Sequence, residues 1–291
     1  MGQRLVRQLA KRVVFGTAKG WPFTERFRLG LRAVAVAVPD LPPALWGLRV
    51  GLLTDLHVGW YAGPAQAERA VALLNGARPD LALVAGDLVH DGTGQADLVG
   101  AARAVGAIAA PLGVYGVLGN HCYWAGAHRV EAALHDAGVP VLANRGLALP
   151  VRESRLWLAG LDSAFAGSPD VAAAMAGAAA GRPGAGGAAG GGFCLLAVHE
   201  PDYADEAVRA MPDGLTILQL SGHSHGGQIR LPGLSAYVAP ALGRKYVRGL
   251  YRVNGDRYQV YTSPGVGVTG VPMRWGSPPE VTVVVLTPAG G

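Results

Sequence analysis

The chain has 291 residues, half of them apolar, with only 15% charged and a formal net charge of +5. That length suits one large α/β domain or two small ones, and the apolar half is ample for a core. Two cysteines, Cys122 and Cys194, do not make the disulfide framework of a small secreted scaffold.

Basic charge is concentrated at the start, where Arg4, Arg7, Lys11, Arg12 and Lys19 fall among the first twenty residues with no acidic neighbour. Leu5, Leu9 and Val13 recur every four residues, so a helix here would have an apolar and a basic face and could lie on an anionic bilayer. A basic tail, or a helix docked on the domain, is the alternative. No run reaches the roughly 18–20 apolar residues of a transmembrane helix, and no signal-peptide pattern is present. The expected location is therefore the cytoplasm, with peripheral attachment to the inner face of the membrane through residues 1–20.

Leu31–Val38 reads as an edge strand, closing an N-terminal segment of residues 1–40. A single domain over residues 41–291 follows. Buried strands are expected at Leu48–Leu53, Leu81–Ala85 and Gly113–Leu118, with helices at Gln66–Asn75, Ala96–Ala109 and Arg129–Ala137. This alternation indicates α/β structure with parallel pairing. A strand at Leu156–Leu161 and a helix at Ala172–Ala180 come next, then a Gly/Ala-rich loop over residues 181–192. Further strands are expected at Phe193–Val198, Leu215–Leu220, Gly227–Leu231, Tyr246–Val253, Arg257–Thr262 and Val281–Leu286. Asn254-Gly255 marks a hairpin.

Five stretches place polar ligand-type residues directly after an apolar run. They are Asp55-Leu56-His57, Gly86-Asp87, Gly119-Asn120-His121, His199 and Gly222-His223-Ser224-His225, and they hold five of the eight histidines. Sites in open α/β sheets form beyond the carboxyl ends of strands, so one sheet edge can gather all five. Each piece alone has an ordinary reading: a capping carboxylate, a turn asparagine, a satisfied strand-end histidine. Together, the carboxylates, the amide and the imidazoles suit two divalent cations (Mn, Fe or Zn) and a proton donor.

This ordered set resembles the calcineurin-like metallophosphoesterase superfamily. The stretches Asn75–Asp87, Tyr115–His121, Leu220–Arg230 and Gly265–Gly270 resemble a bacterial membrane-associated branch that includes phosphodiesterases and UDP-2,3-diacylglucosamine hydrolases. The resemblance covers about Leu41 to Leu286. It implies a four-layer α-β-β-α sandwich with two mixed sheets. It also implies one metal held by Asp55, His57, Asp87 and His225, a second held by Asp87, Asn120, His199 and His223, and His121 as general acid. Two cations about 3.5–4 Å apart would neutralise phosphoryl charge and activate a water for in-line attack.

Two positions depart from the family pattern. His90 stands where a second aspartate is usual, and Cys122 where Asp or Glu usually follows Gly-Asn-His. Losing both carboxylates would leave His121 less supported as an acid, with Asp91 as a substitute if the turn shifts by one residue. Cys122 reads more readily as a small buried hydrophobe than as a ligand. Glu200, beside His199, adds a carboxylate close to the site. Arg244, Lys245, Arg248 and Arg252 could attract an anionic head group or form a solvated strand face.

The expected protein is a dinuclear-metal phosphoesterase acting on a phosphodiester or pyrophosphate. Its substrate would be small and phosphorylated or lipid-linked, with no nucleic-acid partner. The alternatives are a phosphomonoesterase or phosphoprotein phosphatase, and a metal-binding scaffold of the same fold with weakened catalysis.

Overall fold

A computed structural model of the chain describes residues 26–178, 192–230 and 239–290. The basic segment 1–20, and residues 181–191 of the Gly/Ala-rich stretch, lie outside the described residues. The strands are β1 (Gly30–Val38), β2 (Arg49–Leu53), β3 (Leu81–Ala85), β4 (Val114–Val117), β5 (Arg145–Val151), β6 (Ser154–Gly160), β7 (Gly192–Ala197), β8 (Leu215–Ser221), β9 (Gly249–Asn254), β10 (Tyr258–Thr262) and β11 (Glu280–Pro288). The helices are α1 (Pro64–Gly76), α2 (Gln95–Gly106), α3 (Asn120–Trp124), α4 (Ala127–Asp136), α5 (Val171–Met175) and α6 (Ala204–Ala210).

The strands form two mixed sheets. A five-stranded sheet has the order β1-β11-β2-β3-β4, and a six-stranded sheet the order β5-β6-β7-β8-β10-β9. In the first, β2, β3 and β4 run parallel; in the second, β6, β7 and β8 do. The period-2 alternation of strand side chains divides the core among three layers. Leu52, Leu83, Leu158, Leu195 and Leu218 meet between the sheets. Ala82 and Val84 face α1 and α2, while Cys194, Leu196 and Ile217 face α5 and α6. Strands covered on both faces read as unbroken apolar runs, and the five residues of β3 are all buried. The expected four-layer sandwich is observed.

Local chemistry explains the helices that the strands carry. α1 has Pro64 in its first turn after Gly63 and buries Ala67, Ala70, Val71 and Leu74, a stripe with i, i+3, i+4, i+7 spacing. Asn254-Gly255 joins β9 to β10 as an antiparallel hairpin.

Two expected strands differ. Gly227–Leu231 is not a strand over its described residues; only Ile229 forms a bridge, with Trp275. His225, Gly226, Gly227 and Gln228 have φ of 52°, 60°, 77° and 37°, which turns the chain back on itself instead of extending it. Tyr246–Val253 begins pairing only at Gly249, because the backbone N–H groups of Arg244, Lys245 and Tyr246 donate to the Asp202 carboxylate. β5, α3 and α6 were not anticipated: the two helices are too short for a helical period to register, and β5 is only partly buried.

Candidate metal centre

The polar stretches lie at one edge of the sandwich. Asp55 and His57 follow β2, Asp87 follows β3, and Asn120 and His121 open α3 just beyond β4. The second sheet supplies His199 after β7 and His223 and His225 after β8. The two sheets face each other, so the carboxyl ends of their parallel strands converge.

Among the described residues the ligand-type groups fall into three clusters, the ligand atoms of each within 4.8 Å of one another. Asp55, His57 and His225 form one and Asp87, His199 and His223 another, both buried, while His57 also meets His90 and His121 on the cavity side. His57 Nε2 lies 3.0 Å from His225 Nε2, and His225 Nε2 lies 3.3 Å from Asp55 Oδ1. Asp87 stands between the two buried clusters: its Oδ2 is 3.1 Å from His199 Nε2 and 3.6 Å from His57 Nε2. Its Oδ1 accepts the backbone N–H of His121 at 2.8 Å, which fixes the carboxylate plane. Asn120 lines the same cavity as Asp87 and His223, and its buried Oδ1 has no hydrogen-bond partner.

The backbone here is strained. Asp55, His57, Asp87, His223 and His225 have φ between 46° and 65°. The left-handed region costs a non-glycine residue roughly 1–2 kcal/mol, so the fold invests several kcal/mol in aiming these side chains. Two glycines make the close approach possible. A Cβ on Gly119 would strike Asp87 Oδ1 and the His199 ring, and one on Gly222 would strike Thr54 Oγ1 and Asp55 Oδ2.

Hydrogen bonds fix which imidazole nitrogen faces the centre. His199 Nδ1 donates to the Ala85 carbonyl at 2.7 Å, leaving Nε2 toward Asp87. His223 Nε2 donates to the Ala241 carbonyl at 2.8 Å, leaving Nδ1. Such outward hydrogen bonds orient metal-bound histidines. Burial raises the Asp55 and Asp87 carboxyls, but surrounding imidazoles, His225 for Asp55 and His199 for Asp87, outweigh it and hold both below the ordinary range. Burial lowers His223 and His225 and keeps them neutral. Burial also opposes a charge on His199, yet Asp87 pulls it up to about 10. Two anionic carboxylates, the neutral imidazoles of His223 and His225 and an unpartnered amide oxygen are donors that suit a divalent pair, and His199 would release its proton on taking a cation.

Around this floor stands a second set of groups. His121 is mostly buried and pushed down to about 4 by burial, with Asp87 and Asp91 acting against that shift. Asp91 Oδ1 pairs with His90 Nδ1 and lies 3.7 Å from His121 Nδ1, so the turn does bring a carboxylate beside the acid candidate. Thr269 Oγ1 is 3.5 Å from the Nε2 of both His90 and His121. Gln228 pins that loop, donating to the Thr269 and Val271 carbonyls and accepting from Thr269 N. Cys122 turns from α3 into the core, its thiol pushed up to about 12 by burial. Glu200 is held by the 163–164 loop, accepting from Ser163 Oγ at 2.6 Å and Ala164 N at 2.9 Å, and its charge favours the protonated forms of His199 and His223. Lys245, Arg248 and Arg252 pair with Asp205, Glu280 and Asp256, and Arg244 donates to the Ala239 carbonyl.

Several residues near the centre carry no motif. Arg274 is fully buried and donates to the carbonyls of Gly267, Pro264, His225 and Ser277, tying the 264–267 loop to His225. Trp124 and Phe165 line the cavity too, beside Thr269 of the Gly265–Gly270 stretch. Asp162 could have been noticed, since it too follows a strand.

A profile of the Calcineurin-like phosphoesterase family matches residues 48–227. A transmembrane protein with metallophosphoesterase domain from Danio rerio is 33% identical over 88% of this chain and 57% of its own length. The uncharacterised metallophosphoesterase YkuE of Bacillus subtilis is 28% identical over 84% of this chain and 81% of its own. A dimetal phosphatase structure from Danio rerio aligns with TM-score 0.46 and 14% identity over 82% of this chain and 99% of that one, too loose to carry an argument. The chain thus spans a little over half the length of the Danio rerio relative. No helix among the described residues is long and apolar enough to cross a membrane. On the family profile and these relatives, the chain belongs to the calcineurin-like metallophosphoesterase family.

Proposed function

We propose that the chain hydrolyses a phosphodiester or pyrophosphate bond at a dinuclear metal centre. The observation that carries this reading is the pair of buried ligand clusters with the Asp87 carboxylate between them. Asp55, His57, Asp87 and His225 would hold one ion, and Asp87, Asn120, His199 and His223 the other. The bound pair supplies charge neutralisation of the phosphoryl group and an activated water. Asp87 would contribute to both positions, its Oδ1 held by the His121 N–H and its Oδ2 lying toward His57 and His199. His121 faces the cavity as the proton donor to the leaving oxygen. Burial, together with the neighbouring His57 and His90, disfavours its charged form, and an anionic phosphoryl group beside it would favour that form.

The motif resemblance extends this reading to a lipid-linked or nucleotide-sugar substrate such as UDP-2,3-diacylglucosamine. It is joined by attachment of residues 1–20 to an anionic bilayer. Deleting that segment should release the protein from vesicles containing anionic lipid without lowering hydrolysis of a soluble ester; continued binding would refute the attachment. The function itself is tested with manganese-loaded protein on bis-p-nitrophenyl phosphate beside p-nitrophenyl phosphate. Diester cleavage that His121→Ala lowers by roughly 10²–10⁴-fold is the expected result. Cleavage of the monoester alone would mark a phosphomonoesterase, and metal binding without turnover on either would refute hydrolysis.

A further inference from the structure

The cavity above the metal centre encloses about 210 Å³. Sites that enclose a whole drug-sized ligand usually measure roughly 300–1,000 Å³, so this one admits a phosphoryl group and little more. The organic part of an ester must then rest against the rim. Two large apolar side chains stand there with their surfaces free: Trp124 is 52% exposed and Phe165 44%. Their rings meet nearly at right angles, 82° apart with centroids at 6.0 Å. Trp124 also touches the His121 ring at 4.5 Å, and Phe165 lies 5.9 Å from His223. The pair therefore spans the mouth from the proton donor to a ligand of the second metal position.

Both rings are held in place from behind. Tyr123, the residue before Trp124, donates its hydroxyl to Asp162 Oδ1 at 2.5 Å and so ties α3 to the 162–168 loop. Asp162 also accepts from Ser163 N and Ser168 N, and Glu200 accepts from Ser163 Oγ and Ala164 N. Four hydrogen bonds to these two carboxylates, from Ser163, Ala164 and Ser168, thus close on Phe165 from either side in sequence. Two fixed perpendicular faces form a corner in which a flat ring stacks on one wall and meets the other edge-on, the arrangements aromatic pairs favour. An acyl chain would need a trough, and Ala164, Ala166, Gly167 and Ser168 beside Phe165 offer it little surface.

We propose that Trp124 and Phe165 form a specificity corner for a planar aromatic group, a nucleobase or aryl ring, carried on the phosphoryl group of the substrate. This rests on the phosphoesterase reading above. The test is calorimetric binding of phenylphosphonate and methylphosphonate to the manganese-loaded full chain. Phenylphosphonate should bind about tenfold more tightly, a preference that Trp124→Ala and Phe165→Ala each largely abolish and Trp124→Phe keeps. Equal affinities in the parent protein, or a preference surviving both alanine variants, would overturn the corner. So would alanine variants that weaken both ligands equally, which is the mark of a structural role. Binding of neither phosphonate would instead overturn the phosphoryl site, and the corner with it.

Discussion

The floor and the rim of the cavity are built on different principles. The floor, from Asp55 to His225, is almost wholly buried, holds its side chains on strained backbone, and draws on both sheets. The rim, Trp124 and Phe165, is partly exposed and stands on a short helix and a loop fixed by side-chain hydrogen bonds. A floor that must hold cations at fixed spacing gains from strand ends, whose positions the hydrogen-bonded sheets determine. A rim that only has to meet an organic group can be changed without disturbing the sheets. Chemistry is thereby separated from selectivity within one cavity.

That division can be broken most severely at Asp87. Asp87→Ala should remove both ions and lower hydrolysis by roughly 10³-fold or more, since bound cations supply several kcal/mol of transition-state stabilisation. Metal analysis and turnover read this directly, and retained activity would show that the carboxylate does not bridge. Next comes the support behind the floor. Arg274→Ala strips hydrogen bonds from four buried carbonyls and should destabilise the fold by about 3 kcal/mol or more, read by urea denaturation. A change below about 1 kcal/mol would show that the 264–267 loop holds itself. Smaller is the effect expected at Cys122, where a carboxylate would be buried in the core rather than brought to His121. Cys122→Asp should lower stability by roughly 1–3 kcal/mol without raising turnover, whereas a faster enzyme would place that side chain at the site. The smallest effect belongs to the rim. Ser163→Ala removes one hydrogen bond to Glu200, loosens the Phe165 loop, and should cost about 1 kcal/mol in stability with the metal content intact.

The floor was legible because each of its residues directly follows an apolar run. Strand ends are where a sheet delivers side chains to a common edge, so periodicity located Asp55, Asp87, His199 and His223 together. The rim was not legible. Trp124 and Phe165 meet only because Tyr123 reaches Asp162, a tertiary contact that leaves no local pattern. Arg274 follows a Pro-containing loop and carries a charge, which reads as surface rather than as a fully buried donor to carbonyls. The turn after Val89 is a middle case. Asp91 approaches His121 as a one-residue shift of the turn would require, but the geometry follows from the His90–Asp91 pairing, which sequence alone does not fix.

The central claim is that two ions share Asp87. It is tested most directly by metal stoichiometry and electron paramagnetic resonance on the manganese-reconstituted protein. Two manganese ions per chain with an exchange-coupled spectrum, both lost in Asp87→Ala, is the predicted result. A single ion with an uncoupled spectrum would contradict it.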